Sequence, residues 1–194
     1  MADLTTLENV KESLGIPTLT TTYDALLGRL ITAQSQAIET YIGQPVISQA
    51  QTETRNGTGT REMALKYFPV TAITEVKVDD IVISESILST NSGYRRNGRM
   101  LSINGSTYNS RTTVSRFTRG FNNVEFSYTA GYSTVPADIE QVCIDMVSFK
   151  YGTRTKKGIK REQILNQNEV EYGSTGLDRD SKIVLEKYRS KVPV

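Results

Sequence analysis

The sequence predicts an α+β chain, a small helical bundle carrying an inserted antiparallel β module, and three observations point there. Apolar residues recur at helical spacing near both ends of the chain, at 5–14, 22–42, 136–151 and 178–189. Between residues 50 and 131 the period changes to two and turn signals recur every few residues. The stretch "YTAGYSTVPADIEQV", residues 128–142, then converts a strand into a helix within a few residues. With 194 residues the chain holds one ordinary domain, or a small domain with a sizeable insertion, but not two large ones.

Each element has its own signal. Thr5-Thr6-Leu7-Glu8 has capping-box spacing, with Thr5 as the cap and Glu8 reaching back, so a short helix should follow, with Leu7, Val10, Lys11 and Leu14 on one side. Gly15 and Pro17 end it. The second helix, 22–42, places Leu26, Leu27, Leu30, Ile31, Ile38, Tyr41 and Ile42 mostly on one face, and Gly43 and Pro45 stop it. Ala33, Ser35 and Ala37 keep its middle slim enough for close approach of another helix.

In the β region, Asn56-Gly57 between polar alternating arms predicts a tight hairpin, because glycine tolerates the positive φ such a turn needs. In "FPVTAITEVKVDDIVIS", Val76 and Val78 share a face, Asp79-Asp80 makes the turn, and the chain returns through Ile81 and Ile83. Asn97-Gly98 and Asn104-Gly105 bracket "RMLSI", and Gly120-Phe121-Asn122-Asn123 reads as a loose connection. "VEFSYT" then points Val124, Phe126 and Tyr128 one way and Glu125, Ser127 and Thr129 the other.

Helix 136–151 follows, with Ile139, Val142, Cys143, Met146 and Val147 at core spacing and Pro136, Asp138 and Glu140 suited to its first turn. Residues 152–176 are polar and read as a loop or arm. The last helix, 178–189, carries Ile183, Val184, Leu185 and Tyr188. The domain division expected is a helical body of residues 1–49 and 132–194, with its C-terminal arm, around a β module of 50–131.

Composition narrows the chemistry. With no histidine, triads and zinc sites that use one are excluded. The single cysteine, Cys143, has no disulfide partner within the chain, suits a reducing cytoplasm and reads as a small core residue. No apolar run approaches the ~20 residues of a membrane span, and the N-terminus lacks signal-peptide character. No cofactor is expected. Gly57-Thr58-Gly59 lacks the flanking strand, helix and Lys-Ser/Thr of a phosphate loop, and Asp79-Asp80 reads as turn chemistry rather than paired catalytic carboxylates.

Net charge is only +2, yet two basic stretches stand out. Arg95, Arg96, Arg99, Arg111, Arg116 and Arg119 form one; Lys150, Arg154, Lys156, Lys157, Lys160 and Arg161 form the other. Three readings stand: a solvated loop face, a phosphate-facing surface, and a docking surface for an acidic partner. The terminal "VLEKYRSKVPV" has two: a helix packed on its own core, or a tethered helix that docks into a neighbour's groove.

The order helix, helix, β insertion, helix, arm resembles the head-tail connector, or adaptor and head completion, family of tailed bacteriophages. The wording that carries the resemblance is "IETYIGQP", "FPVTAITEVKVDD", "VEFSYTAGYSTVPADIEQV", "SFKYGTR" and "LEKYRS". That resemblance implies a virion structural protein without catalytic activity, found in the neck after assembly in the host cytoplasm. Its partners would be the portal protein, a stopper or tail-completion protein, and further copies of itself in a ring, usually a dodecamer, through which double-stranded DNA passes without sequence-specific binding. No membrane is implied. By the same resemblance Leu185, Lys187, Tyr188 and Arg189 would form the portal or ring interface. Arg154, Lys156, Lys157, Lys160 and Arg161 would form a docking or DNA-facing loop, and Gly131 with Pro136 the structural join between β module and helical body. An isolated chain would be monomeric or weakly associated. The rival class is a small nucleic-acid-binding accessory protein that uses the basic loops.

Overall fold

The computed structural model describes residues 2–87, 92–105, 114–154, 161–164, 168–171 and 178–189. Four helices and antiparallel sheets make it an α+β fold, as the periodicities require. The chain divides into two compact units, one of Met1–Gly43 with Val135–Arg189 and one built on Gln44–Thr134.

The first unit is helical: α1 (Leu7–Ser13), α2 (Asp24–Ile42), α3 (Ala137–Gly152) and α4 (Arg179–Glu186). Leu27, Ile31, Ser35, Ile38 and Ile42 form the buried stripe of α2 and meet Ile139, Val142, Cys143, Met146 and Val147 of α3. The slim middle of α2 does what its small residues allow. The Ser35 hydroxyl accepts from the Leu4 amide at 3.0 Å and lies 3.7 Å from the Cys143 sulfur. Gly43 ends α2 in the left-handed conformation, with its amide donating to the Glu39 carbonyl.

Three boundaries differ from those the sequence suggests. The cap of α1 is Thr6, which accepts from the Asn9 amide, and not Thr5. Thr5 is buried, and its hydroxyl donates to Glu140 at 3.2 Å, so a tertiary partner displaces the capping box by one residue. Helix α2 starts at Asp24 because the Asp24 amide closes a turn onto Thr21. Helix α4 ends at Glu186, and the amides of Lys187, Tyr188 and Arg189 tighten onto carbonyls three residues back.

Lys11, placed by its spacing on the apolar side of α1, is indeed buried. Its ammonium donates to the Thr18 carbonyl at 3.1 Å and pairs with Asp24 at 2.6 Å, tying the α1–α2 loop to the start of α2. A buried cation needs such partners, because an unpaired one would lose its hydration uncompensated.

The second unit holds β1 (Gln49–Gly57), β2 (Glu62–Ala64), β3 (Val70–Val78), β4 (Ile81–Val82), β5 (Gly93–Asn97), β6 (Met100–Asn104) and β7 (Gly120–Ala130). One sheet has the order β1-β7-β3-β4 and the other β2-β6-β5. They share one core, in which Val76, Val78, Val124, Phe126 and Tyr128 meet Met63, Tyr94, Leu101, Ile103 and Phe117. The alternation read in β7 is therefore correct. Backbone bonds between Ser84 or Ser86 and Tyr94 join the sheets beside β4. Beside β1 side chains join them: Arg55 donates to the Ala64 carbonyl, and Glu53 accepts from the Lys66 amide.

Asp79 and Asp80, with φ of 53° and 63°, form the two-residue turn between β3 and β4. Gly98 likewise lies in the turn between β5 and β6.

Two turn readings need correction. Asn56-Gly57 is no hairpin, because β1 pairs with β7 rather than β2. Gly57 is required by close approach: a Cβ there would lie 1.7 Å from the Thr118 carbonyl oxygen. Gly120-Phe121-Asn122-Asn123 is not a loose connection but the start of β7, with an irregularity opposite Asn56. Within the stretch read as a loop or arm, an antiparallel pair forms from β8 (Arg161–Ile164) and β9 (Asn168–Glu171).

Candidate interaction surfaces

The first turn of α3 organises the ends of two other helices. Pro136 is its N-cap residue at φ −58°, and Asp138 and Glu140 stand in the first turn, near the positive end of the helix dipole. Both carboxylates also bind tertiary partners. Glu140 accepts from Asn9 at 2.7 Å and from Thr5, holding α1. Asp138 accepts from the Tyr188 hydroxyl at 2.7 and 2.8 Å, holding the turn after α4.

Helix α4 has a second tie, since the Tyr41 hydroxyl of α2 donates to Glu186 at 3.1 Å. Partial burial, together with the Glu186 carboxylate, raises the Tyr41 phenol above its ordinary value. Arg189 pairs with Glu186 at 3.0 Å and lies 5.9 Å from the Tyr41 ring centroid. Leu185 is fully buried within the helical unit and Tyr188 is half-buried, whereas Lys187 and Arg189 are exposed. Of the four residues assigned to a partner interface by resemblance, two thus face solvent and two help seat the helix. Ile183, not singled out from the sequence, adds an exposed apolar side chain to α4.

Four of the described arginines of the two basic stretches are engaged within the chain. Arg154 stacks on Tyr151, with its guanidinium carbon 3.8 Å from the ring centroid, donates to the Tyr151 carbonyl at 2.6 Å, and lies 5.9 Å from the Tyr23 ring. Tyr23 and Tyr151 themselves meet edge to face at 5.7 Å. Arg96 donates to the Val70 carbonyl, Arg99 lies over Phe68 and Arg119 donates to the Thr58 carbonyl. Lys156, Lys157, Lys160 and Arg111 fall outside the described residues, and Arg161 contributes its backbone to β8.

At the exit of the β unit Gly131 has φ +116°, and a Cβ there would lie 2.7 Å from the backbone of Ile47 and Ser48. Its amide donates to the Pro69 carbonyl at 2.9 Å, while the Ser48 amide donates to the Tyr132 carbonyl and the Tyr132 amide to the Val46 carbonyl across the strand ends. Only glycine meets both demands here. Among the described residues no group of three or more His, Cys, Asp and Glu is placed to hold a metal ion, and no helix is long and apolar enough to cross a membrane.

Comparison with protein-family models matches residues 3–189 to the family described as "Head completion protein". The chain belongs to the head completion protein family. The resemblance read from its wording is thereby borne out, and the match runs through both units. Solved structures similar in fold include a chain in the neck of a native gene transfer agent particle computed with C12 symmetry, at 14% identity, a TM-score of 0.56, and coverage of 97% of this chain and 90% of that one. A chain in the neck of the empty particle, computed with C6 symmetry, gives 15% identity, a TM-score of 0.57, and coverage of 96% and 90%. A chain from the virion of the native particle gives 16% identity, a TM-score of 0.55, and coverage of 96% and 90%. At these identities the likeness is one of fold. A comparison with curated protein sequences gives no match.

The exposed apolar residues are the surface feature that sequence reading missed. Phe121, Leu19 and Ile87 are each more than four-fifths exposed. Phe121 carried a detectable signal, an aromatic between glycine and two asparagines, but reading that stretch as loose hid its fixed backbone.

Proposed function

We propose that this head completion protein is a non-enzymatic building block of the virion neck. Copies form a ring beneath the portal, extend the channel through which double-stranded DNA passes, and present the far side to a stopper or tail-completion protein. The match of residues 3–189 to the head completion family carries this reading. The fold shared with chains in necks of twelvefold and sixfold computed symmetry supports the ring.

In this proposal the exposed side of α4, with Ile183, Lys187 and Arg189, meets the portal. Leu185 and Tyr188 serve that contact indirectly, by fixing the helix through burial and through Asp138. DNA is not gripped by sequence-specific contacts, and the occupied guanidinium groups of Arg96, Arg99, Arg119 and Arg154 fit that reading better than a dedicated nucleic-acid surface does.

The test is to mix the purified chain with the portal of its own particle and image the product. A ring on the portal is expected; a portal that stays bare would end the proposal. Duplex DNA titrated at moderate salt should give only weak binding, whereas submicromolar, steeply salt-dependent affinity would favour the nucleic-acid-binding alternative.

A further inference from the structure

We propose that the Asn97-Gly98 turn is a self-modification site, at which the Gly98 backbone nitrogen and water convert the Asn97 side-chain amide to a carboxylate. The inference stands independently of the ring reading.

The sequence carries the pair Asn-Gly at 56–57, 97–98 and 104–105. Glycine has no side chain to block its backbone nitrogen from the side-chain carbonyl carbon of the asparagine before it, so composition alone makes all three candidates. The fold separates them.

At 56–57 both reactants are engaged. The Gly57 amide donates to Asn123 Oδ1 at 2.9 Å, and Asn56 Oδ1 accepts from the Asn122 amide at 2.8 Å. Gly57 is also buried, with the Thr118 carbonyl oxygen 1.7 Å from where a Cβ would stand. At 104–105 the backbone is packed instead: a Cβ on Gly105 would lie 2.3 Å from Ser115 Cβ, and Asn104 pairs with Gly93 across β5 and β6. Reaching the reactive geometry at either pair means undoing tertiary contacts.

Asn97 and Gly98 are both exposed. Gly98, at φ 60°, and Arg99 form the two-residue turn that joins β5 to β6, and nothing lies within 4 Å of where a Gly98 Cβ would stand. Among the described residues no group accepts from the Gly98 amide or binds the Asn97 side chain. Strand β5 is the outer strand of its sheet, and Asn97–Met100 is its last pair before the turn. Bringing the Gly98 nitrogen onto the side-chain carbon therefore needs only that terminal pair to fray, the least costly opening a hairpin offers. The flanking residues help as well. Arg95, Arg96 and Arg99 surround the pair in sequence, and nearby cations favour the deprotonated amide that attacks.

The step balances with water as co-reactant. The Gly98 amide gives its proton to solvent base and its nitrogen bonds to Asn97 Cγ; the Cγ–Nδ2 bond breaks and the nitrogen leaves as ammonia, closing a succinimide. Water then opens the ring on either side. Cleavage at Cγ restores the ordinary backbone with an aspartate side chain, and cleavage at the backbone carbonyl leaves isoaspartate, with the chain running through Cγ. Either product puts a carboxylate at the tip of a hairpin that carries three arginines of the first basic stretch. Isoaspartate also adds a methylene to the backbone where Asn97 meets Met100.

In the test the full chain is held at mildly alkaline pH in heavy-oxygen water, native or in urea, and mapped by peptide mass spectrometry. In urea all three Asn-Gly pairs should react alike and incorporate heavy oxygen, which sets the rate that sequence alone gives. In the native chain Asn97 should react first, with Asn56 and Asn104 about tenfold or more slower because they wait for local unfolding. Asn97→Gln, whose longer side chain closes the ring poorly, should lose the early acidic isoform on ion exchange, and Asn97→Asp should elute with it. Native Asn97 reacting no faster than Asn56 or Asn104, or staying intact when the chain in urea has fully reacted, would overturn the proposal.

Discussion

At Gly131 and Gly57 one added methyl group would run into fixed backbone. At Gly131 a β-carbon meets Ile47 and Ser48 backbone and the left-handed φ is strained besides; at Gly57 it meets a carbonyl oxygen. Neither neighbour is the flexible end of a side chain. Gly131→Ala and Gly57→Ala should each destabilise the β unit by about 2 kcal/mol or more, read as a lower urea midpoint at unchanged slope, whereas Gly98→Ala, with open space around it, should lose only what its positive φ of 60° demands. Cys143 gives a different kind of residue-scale prediction. Burial pushes its thiol from 9.0 up to about 11, an effect the nearby Ser35 hydroxyl only partly offsets. The folded protein therefore keeps its proton where the unfolded chain loses it, so this contribution to stability is fully present below pH 9 and is lost as pH rises towards about 11. Native protein at pH 8 should resist thiol-specific reagents, and Cys143→Ala should flatten the decline in stability between pH 9 and 10 relative to wild type. An unchanged decline in that variant would assign it to other groups.

At the scale of elements, α4 is the informative case, because it is eight residues long and too short to persist without its packing. Leu185 supplies the burial, Asp178 caps the start by accepting from the Ser181 amide, and the Tyr188–Asp138 and Tyr41–Glu186 bonds hold the far end. Leu185→Ala should cost about 2 to 4 kcal/mol, and Tyr188→Phe about 1 kcal/mol. Hydrogen exchange resolved to residues 179–189 should accelerate in both, while β7 stays protected. Helix existence and facing were legible because periodicity survives context: Ile139, Val142, Cys143, Met146 and Val147 are all buried as their spacing demands. The Asp79-Asp80 turn was legible because two adjacent aspartates tolerate positive φ. What could not be read is partner choice over distance. Asn56-Gly57 has the composition of a hairpin, but β1 finds β7, far along the chain, and its glycine answers to Thr118. Thr5 has the spacing of a cap, but Glu140, 135 residues away, takes its hydroxyl. The burial of Leu185 was likewise open, since an amphipathic terminal helix has the same pattern whether it seats on its own core or a neighbour's.

For the whole molecule, the β unit is a single continuous stretch, Gln44–Thr134, and its ends are brought together by the unit itself. Ser48 donates to the Tyr132 carbonyl and Tyr132 to the Val46 carbonyl, so the two places where the chain enters and leaves are zipped by backbone bonds. The unit has its own core, from Leu65 and Tyr94 to Phe126 and Tyr128, and both sheets contribute to it. A segment that begins and ends at one point and buries its own apolar faces should fold without the helices. Residues 44–134 expressed alone should therefore give a β-rich circular dichroism spectrum and a cooperative thermal transition. The remainder, 1–43 joined to 135–194 by a short glycine-serine linker, tests the converse: α2 and α3 retain their mutual stripe, so helical content should survive the deletion. A 44–134 fragment that unfolds without cooperativity would mean that the β unit depends on the helical one, and Gly131 would then join two halves of one folding unit rather than two units.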